Sequence, residues 1–191
     1  MTPYQQRIQR FATRCFSRNA RGFTLVELMI ALSIVAIVVT MAVPSFKSLI
    51  SMTQLRTATS HLVGVLNLAR SEAIKRGWPV TVCKSADVGA QAPSCDEGAA
   101  WQDGWLVFVD YNQNGIKDAD DASLRVGAPE SGRIMMTADN NFSDYLTYLP
   151  DGASVGSGGS AAGTLSICLD AMQRVVTVSR VGHLRVEAAD C

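Results

Sequence analysis

The sequence predicts an α+β protein, with one long N-terminal helix lying across an antiparallel β-sheet. Three observations predict it. An unbroken apolar run fills residues 23–43. Apolar residues then recur at steps of three and four from 45 to 76, the period of an amphipathic helix. Beyond Gly77 that period stops, and short β-rich runs separated by turn residues take over.

The helix is preceded by a basic leader. The chain has 191 residues and no formal net charge, but residues 1–22 hold Arg7, Arg10, Arg14, Arg18 and Arg21 and no acid. The remainder therefore carries 12 basic residues (17 less five) against 17 acidic ones, a net of −5. The apolar run, FTLVELMIALSIVAIVVTMAV, has 21 residues and one charge, Glu27. At 1.5 Å per residue it reaches about 30 Å, the thickness of a bilayer core. Arginines precede it and only Lys47 follows closely. The positive-inside rule then puts the N-terminus in the cytoplasm and everything after residue 43 outside the inner membrane. A secretory signal peptide would have a shorter run ending in a small-residue cleavage site. Here the small residue, Gly22, stands before the run. A plain anchor would not keep a carboxylate whose insertion costs about 2.5–3.5 kcal/mol, so Glu27 points to a partner.

Pro44 is expected to kink the helix or loosen a turn. After it, Phe46, Leu49, Ile50, Leu55, Ala58, Leu62, Val65, Leu66, Ala69, Ala73 and Ile74 mark one apolar face that needs a cover, and Gly77 with Pro79 ends the helix. The cover is a sheet. Strands are predicted at 79–83, 105–110, 124–126, 133–137, 145–149, 163–169, 174–179 and 183–186, with a hairpin turn over 170–174. The glycine- and serine-rich 156–163 stretch reads as a surface loop, because no Lys-Ser/Thr ending and no helix pattern make it a phosphate cradle. Four segments follow: a leader at 1–22, a transmembrane or filament-core helix at 23–43, an amphipathic second half at 44–77, and a β-rich periplasmic domain at 78–191.

Of five cysteines, Cys15 lies before the apolar run and Cys83, Cys95, Cys168 and Cys191 lie after it. An even number on the far side of a membrane segment suggests two disulfides in an oxidising compartment. Four cysteines allow three connectivities. Cys83–Cys95 would close a local Gly/Pro/Ser-containing loop, and Cys168–Cys191 would pin a C-terminus that otherwise frays. No C-x-x-C pair exists, and His61 and His183 are remote from cysteine pairs in sequence, so no zinc site is expected.

Asp110, Asn112, Asn114, Asp118 and Asp121 fit the spacing D-x-N-x-N-G-x-x-D-x-x-D of a calcium loop. A strand precedes it where an EF-hand has a helix, and the last ligand is Asp rather than Glu. The same residues also suit a solvated Asx-rich turn. No metal or other cofactor is assigned. No G-x-S-x-G, no H-E-x-x-H and no nucleophile–base pair are found, so no catalytic residues are assigned and the chain is not read as an enzyme.

Arg21-Gly22-Phe23-Thr24-Leu25-Val26-Glu27 resembles the processing site of type IV prepilins. The resemblance implies a prepilin peptidase that cuts after Gly22, N-methylation of Phe23, and a role for Glu27 in assembly. Two further stretches, ARSEAIKRG at 69–77 with PVTVC at 79–83 and WQDGWLVFVD at 101–110, are similar to FimT/GspH-type minor pilins and pseudopilins, as is VSRVGHLR at 178–185. This resemblance implies the pilin fold. It implies a low-abundance subunit near a filament tip that primes or caps assembly in a type IV pilus, or an H-class pseudopilin of type II secretion. The implied partners are other pilin or pseudopilin subunits and an inner-membrane assembly platform. Some pilins of the FimT type take up DNA through a Gly-Arg-x-Arg stretch. Here the matching positions read Gly182-His183-Leu184-Arg185, so the first arginine is missing. Arg174, Arg180 and Arg185 would have to form the patch beside Glu187 and Asp190. DNA is therefore kept as the less favoured alternative.

Overall fold

The computed structural model describes residues 22–127, 130 and 132–191, except the side chains of 41–45. The leader at 1–21, with its arginines and Cys15, lies outside the described residues. Helix α1 (Leu25–Arg76) starts where its sequence supplies a cap. The Thr24 hydroxyl accepts the Glu27 N–H at 3.2 Å, and the Thr24 carbonyl accepts the Leu28 N–H at 3.1 Å. A threonine at this position satisfies a donor the first helical turn leaves unpaired. The helical assignment runs through position 44; the bend expected at Pro44 falls within the stretch whose side chains are not described.

The chain divides into two compact units between Pro44 and Ser45. In the first unit the side chains described from 25 to 40 are exposed all round the helix. Among the described residues no helix is long and apolar enough to cross a membrane. Helical residues with described side chains reach only position 40 in this unit, short of the 21-residue run in the sequence. In the second unit Leu55, Ala58, Leu62, Val65, Leu66, Ala69 and Ala73 are buried along one face of α1. Their spacing is the predicted one. Phe46, Leu49, Ile50 and Ile74, expected on the same face, are instead more than half exposed, because among the described residues no strand of the unit covers them, and Ser51 and Thr59 are buried in their place. Each large aliphatic side chain so buried contributes roughly 1.5–3 kcal/mol, and the alanines let the sheets approach the helix axis. At the helix end Gly77 adopts φ +69°, with its N–H on the Ala73 carbonyl at 3.0 Å. That left-handed cap favours glycine.

Two antiparallel sheets cover this face, where one was expected. The first has the order β3-β2-β1-β5-β6, with β1 (Val80–Lys84), β2 (Trp105–Val109), β3 (Ser123–Gly127), β5 (Tyr145–Tyr148) and β6 (Ser154–Gly156). The second has the order β4-β7-β8-β9, with β4 (Met135–Ala138), β7 (Gly163–Leu169), β8 (Met172–Val178) and β9 (Leu184–Asp190). β6 is a three-residue strand, too short to show an alternating pattern. β9 runs four residues past its predicted end because its pairing with β8, from Val178–Leu184 to Met172–Asp190, is in unbroken register. The turn between β7 and β8 is only Asp170-Ala171, with Asp170 at φ +56°. Asp is among the few non-glycine residues that tolerate this conformation.

Val80, Val82, Val107, Val109, Leu146, Leu165, Ile167 and Val176 join the helix in one core. Cys83, Leu106 and Phe108 form a small second cluster with Val88, Cys95 and Tyr145. Cys83 and Cys95 are disulfide-bonded with Cα atoms 5.6 Å apart, and Cys168 and Cys191 with Cα atoms 5.9 Å apart. Closures of this length contribute about 2–4 kcal/mol each.

Candidate processing and assembly site

Gly22 and Phe23 precede the first helical turn, and both are exposed. Among the described residues nothing lies within 4 Å of where a Gly22 Cβ would be, and Phe23 is 81% exposed. A protease needs an accessible, non-helical strand of chain, and the Thr24 cap ends the helix just short of the Gly22–Phe23 bond. Glu27 sits in the first turn of α1, where the helix dipole favours a carboxylate. Among the described residues it makes no ion pair. From Leu25 to Val39 the helix presents leucine, isoleucine and valine side chains that are half or more exposed. A helix apolar all round is a buried one, so this surface is made for lipid or for other helices.

On the second unit, contacts tie α1 to the loops. Arg70 donates Nε to the Gly152 carbonyl at 3.1 Å and Nη2 to the Val181 carbonyl at 2.7 Å. Gly182 is buried at φ +71°, and a Cβ there would lie 2.1 Å from the Gly152 carbonyl oxygen. The Tyr148 ring packs beside it; burial pushes the phenol well above its ordinary range, and the Arg70 charge opposes that only in part. At the other end of the unit the Ser51 hydroxyl and Arg133 both bond the Asp170 carboxylate, at 2.8 Å each. The Arg133 guanidinium and then the Ser51 hydroxyl hold that carboxyl below the usual range, against a smaller opposing effect of desolvation. His61, expected to be packed or at the surface, has its Nδ1 3.0 Å from Glu130 and an edge-on contact with Trp105. The sequence reading missed Thr24, Arg70 and Arg133. Thr24 had a signal in the Thr-x-x-Glu spacing of a capping box; the two arginines bond partners 37 to 111 residues away, which no local pattern reveals.

The calcium-spaced loop is occupied by its own hydrogen bonds. Asp110 is buried and accepts from the Thr81 hydroxyl at 2.8 Å, the Gly115 N–H at 3.0 Å and the Asn114 N–H at 3.2 Å. Asp121 accepts from the N–H groups of Tyr111 and Asp118. Asn112 and Asn114 turn their amide N–H groups to Asp118 and their oxygens to backbone donors. This is an Asx-turn network. Among the described residues no group of three His, Cys, Asp or Glu side chains is placed to hold a metal.

The three arginines proposed for DNA do not converge. Arg185 pairs with Thr177 across the β8–β9 ladder, and Arg174 with Ala188. Residues 174 and 177 differ by an odd step, so Arg174 and Arg185 lie on opposite faces of the sheet. Arg185 is moreover paired with Glu187 at 2.7 Å, and Arg180 is exposed in the turn before β9.

The profile of the family described as Type II transport protein GspH matches residues 58–182, and that of the prokaryotic N-terminal methylation motif matches residues 17–43. Solved structures similar to this chain include the type IV minor pilin FimU of Pseudomonas aeruginosa in two crystal forms. One is 21% identical with a TM-score of 0.53 over 71% of this chain and 89% of that one. The other is 20% identical with a TM-score of 0.51 over 70% and 92%. The minor pseudopilin EpsH of the Vibrio cholerae type 2 secretion system is 16% identical, with a TM-score of 0.47 over 71% and 97%. No curated relative matches the chain. A long N-terminal helix beginning just after a Gly-Phe junction, with antiparallel sheets on its second half, defines a pilin-like subunit. The chain belongs to the GspH family. That family is structural, and the chain is not an enzyme.

Proposed function

We propose that the chain is a minor pilin or pseudopilin stored in the inner membrane, with its N-terminus cytoplasmic and its β-rich domain periplasmic. Prepilin peptidase removes residues 1–22, Phe23 is methylated, and an assembly platform extracts the subunit into a filament near its tip. The observation that carries this reading is the register at the start of α1. Gly22 and Phe23 are open to a protease, the helix starts immediately after them, and Glu27 stands one turn further on. Cleavage would create a cationic amine at Phe23. In a stacked filament that amine can pair with the Glu27 carboxylate of a neighbouring subunit. A shifted neighbour leaves a buried charge unpaired, so such a pair sets register more than it adds stability.

The pilus is the favoured filament, and the similarity of fold to FimU supports it. The second reading, an H-class pseudopilin of type II secretion, is supported by the description of the family. Deleting the chain and scoring piliation against export of folded proteins separates them: loss of pili with normal export supports the first, and the reverse supports the second.

A further inference from the structure

One surface of the second unit is left open beside an unpaired strand. Among the described residues β9 is hydrogen-bonded on one side only, to β8, and ends the second sheet. Its helix-facing row is Leu184, Val186, Ala188 and Asp190, by register with the core-facing Val178 and Val176 of β8. Helix α1 covers β7 and β8, and Leu184 packs against that core, but Val186, Ala188 and Asp190 are left exposed, Val186 by 42%. Between α1 and β9 lies a groove of about 480 Å³, with Val63, Gly64 and Val186 among its apolar lining and Arg56 and Arg174 as its cations. Among the described residues neither arginine has an ion-pair partner. Gly64 is a second, independent sign. A mid-helix glycine costs about 1 kcal/mol relative to alanine, yet among the described residues nothing outside its own turn lies within 4 Å of where its Cβ would be. No packing inside the subunit accounts for the missing side chain, whereas close approach of a second backbone would.

We propose that this groove receives an acidic, extended segment of another pilin-like subunit, which pairs with β9 and places its carboxylates on Arg56 and Arg174. An exposed strand edge is a template for a further strand. The apolar floor takes alternate side chains of the incoming segment, and the two cations select an acidic one. This assignment rests on the filament-subunit reading and names one of its contacts.

The test uses the full chain at native level in its own cells, with a photoreactive phenylalanine replacing Ser60, which lines the groove and is exposed. A second strain carries the probe in place of Leu32, in the apolar half of α1. The expected adduct at position 60 is a peptide from another pilin-like subunit, carrying more acidic than basic residues. R56E with R174E should lower its yield about five-fold, the sum of two rim ion pairs, and leave the adduct at position 32 unchanged. Gly64→Leu should lower it too, while raising helix propensity so that the chain accumulates normally; it decides the matter if the double charge reversal does not accumulate. Adducts only with lipid or with a second copy of this chain, no adduct at 60, or a yield indifferent to both changes would overturn the proposal. If position 32 still captures another subunit, the filament reading survives that failure; if neither position captures one, both fall.

Discussion

Arg70 and Gly182 act as one device, because the guanidinium reaches two carbonyls only if the chain at 182 comes close to Gly152. A methyl group at 182 meets a backbone oxygen that cannot move aside, on a residue already at φ +71°. Gly182→Ala should therefore cost about 1–3 kcal/mol, read as a lower urea midpoint of the detergent-solubilised chain followed by tryptophan fluorescence. Asp170 behaves differently because its contribution titrates. Its carboxyl is held below the ordinary 3.8 by Arg133 and Ser51. A depressed folded-state value stabilises above the unfolded value, and that stability is lost as pH falls through the folded one. Asp170→Asn should lower the urea midpoint at pH 7, and its deficit against the natural chain should shrink only below about pH 4. An unchanged deficit at pH 3 would mean that the bond to Ser51, rather than charge, carries the effect.

Helix α1 holds two chemistries on one element. Its second half obeys the ordinary rule of one buried face, and the described side chains of its first half, from 25 to 40, are all exposed. Glu27 belongs to the first half, and its value should be visible only in assembly. Glu27→Val removes the insertion cost of a carboxylate and the proposed partner of the neighbouring amine together. The variant should accumulate in the inner membrane at normal or higher amounts and be absent from sheared filaments by immunoblot. Normal incorporation would contradict the pairing.

At the scale of the whole molecule, much was legible in the sequence. The existence of α1, its end at Gly77 and its buried apolar positions from Leu55 to Ala73 followed from a 3.6-residue period and the apolar run, which are local signals. Most strands were legible for the same reason. The Thr24 cap, the burial of Ser51 and Thr59 and the exposure of Phe46, Leu49, Ile50 and Ile74 were not so predicted. The division into two sheets was not, because β1 and β7 have similar β-rich patterns and only their long-range pairing separates them. The calcium-like spacing and the three-arginine patch were both readable as sites. In the structure the residues of the first form an Asx-turn network, and Arg174 and Arg185 of the second lie on opposite faces, which needs the β8–β9 register to see. The proposed processing site is linear: Gly22, Phe23 and Glu27 would act through their order along one chain, so its signal needs no fold to read. The central claim is tested most directly by intact-mass analysis of the chain recovered from sheared filaments. The account predicts a mass beginning at Phe23 with one added methyl group and both disulfides intact, and a bulky side chain at position 22 should leave the precursor uncut. A filament-borne chain that still carries residues 1–22 would contradict it.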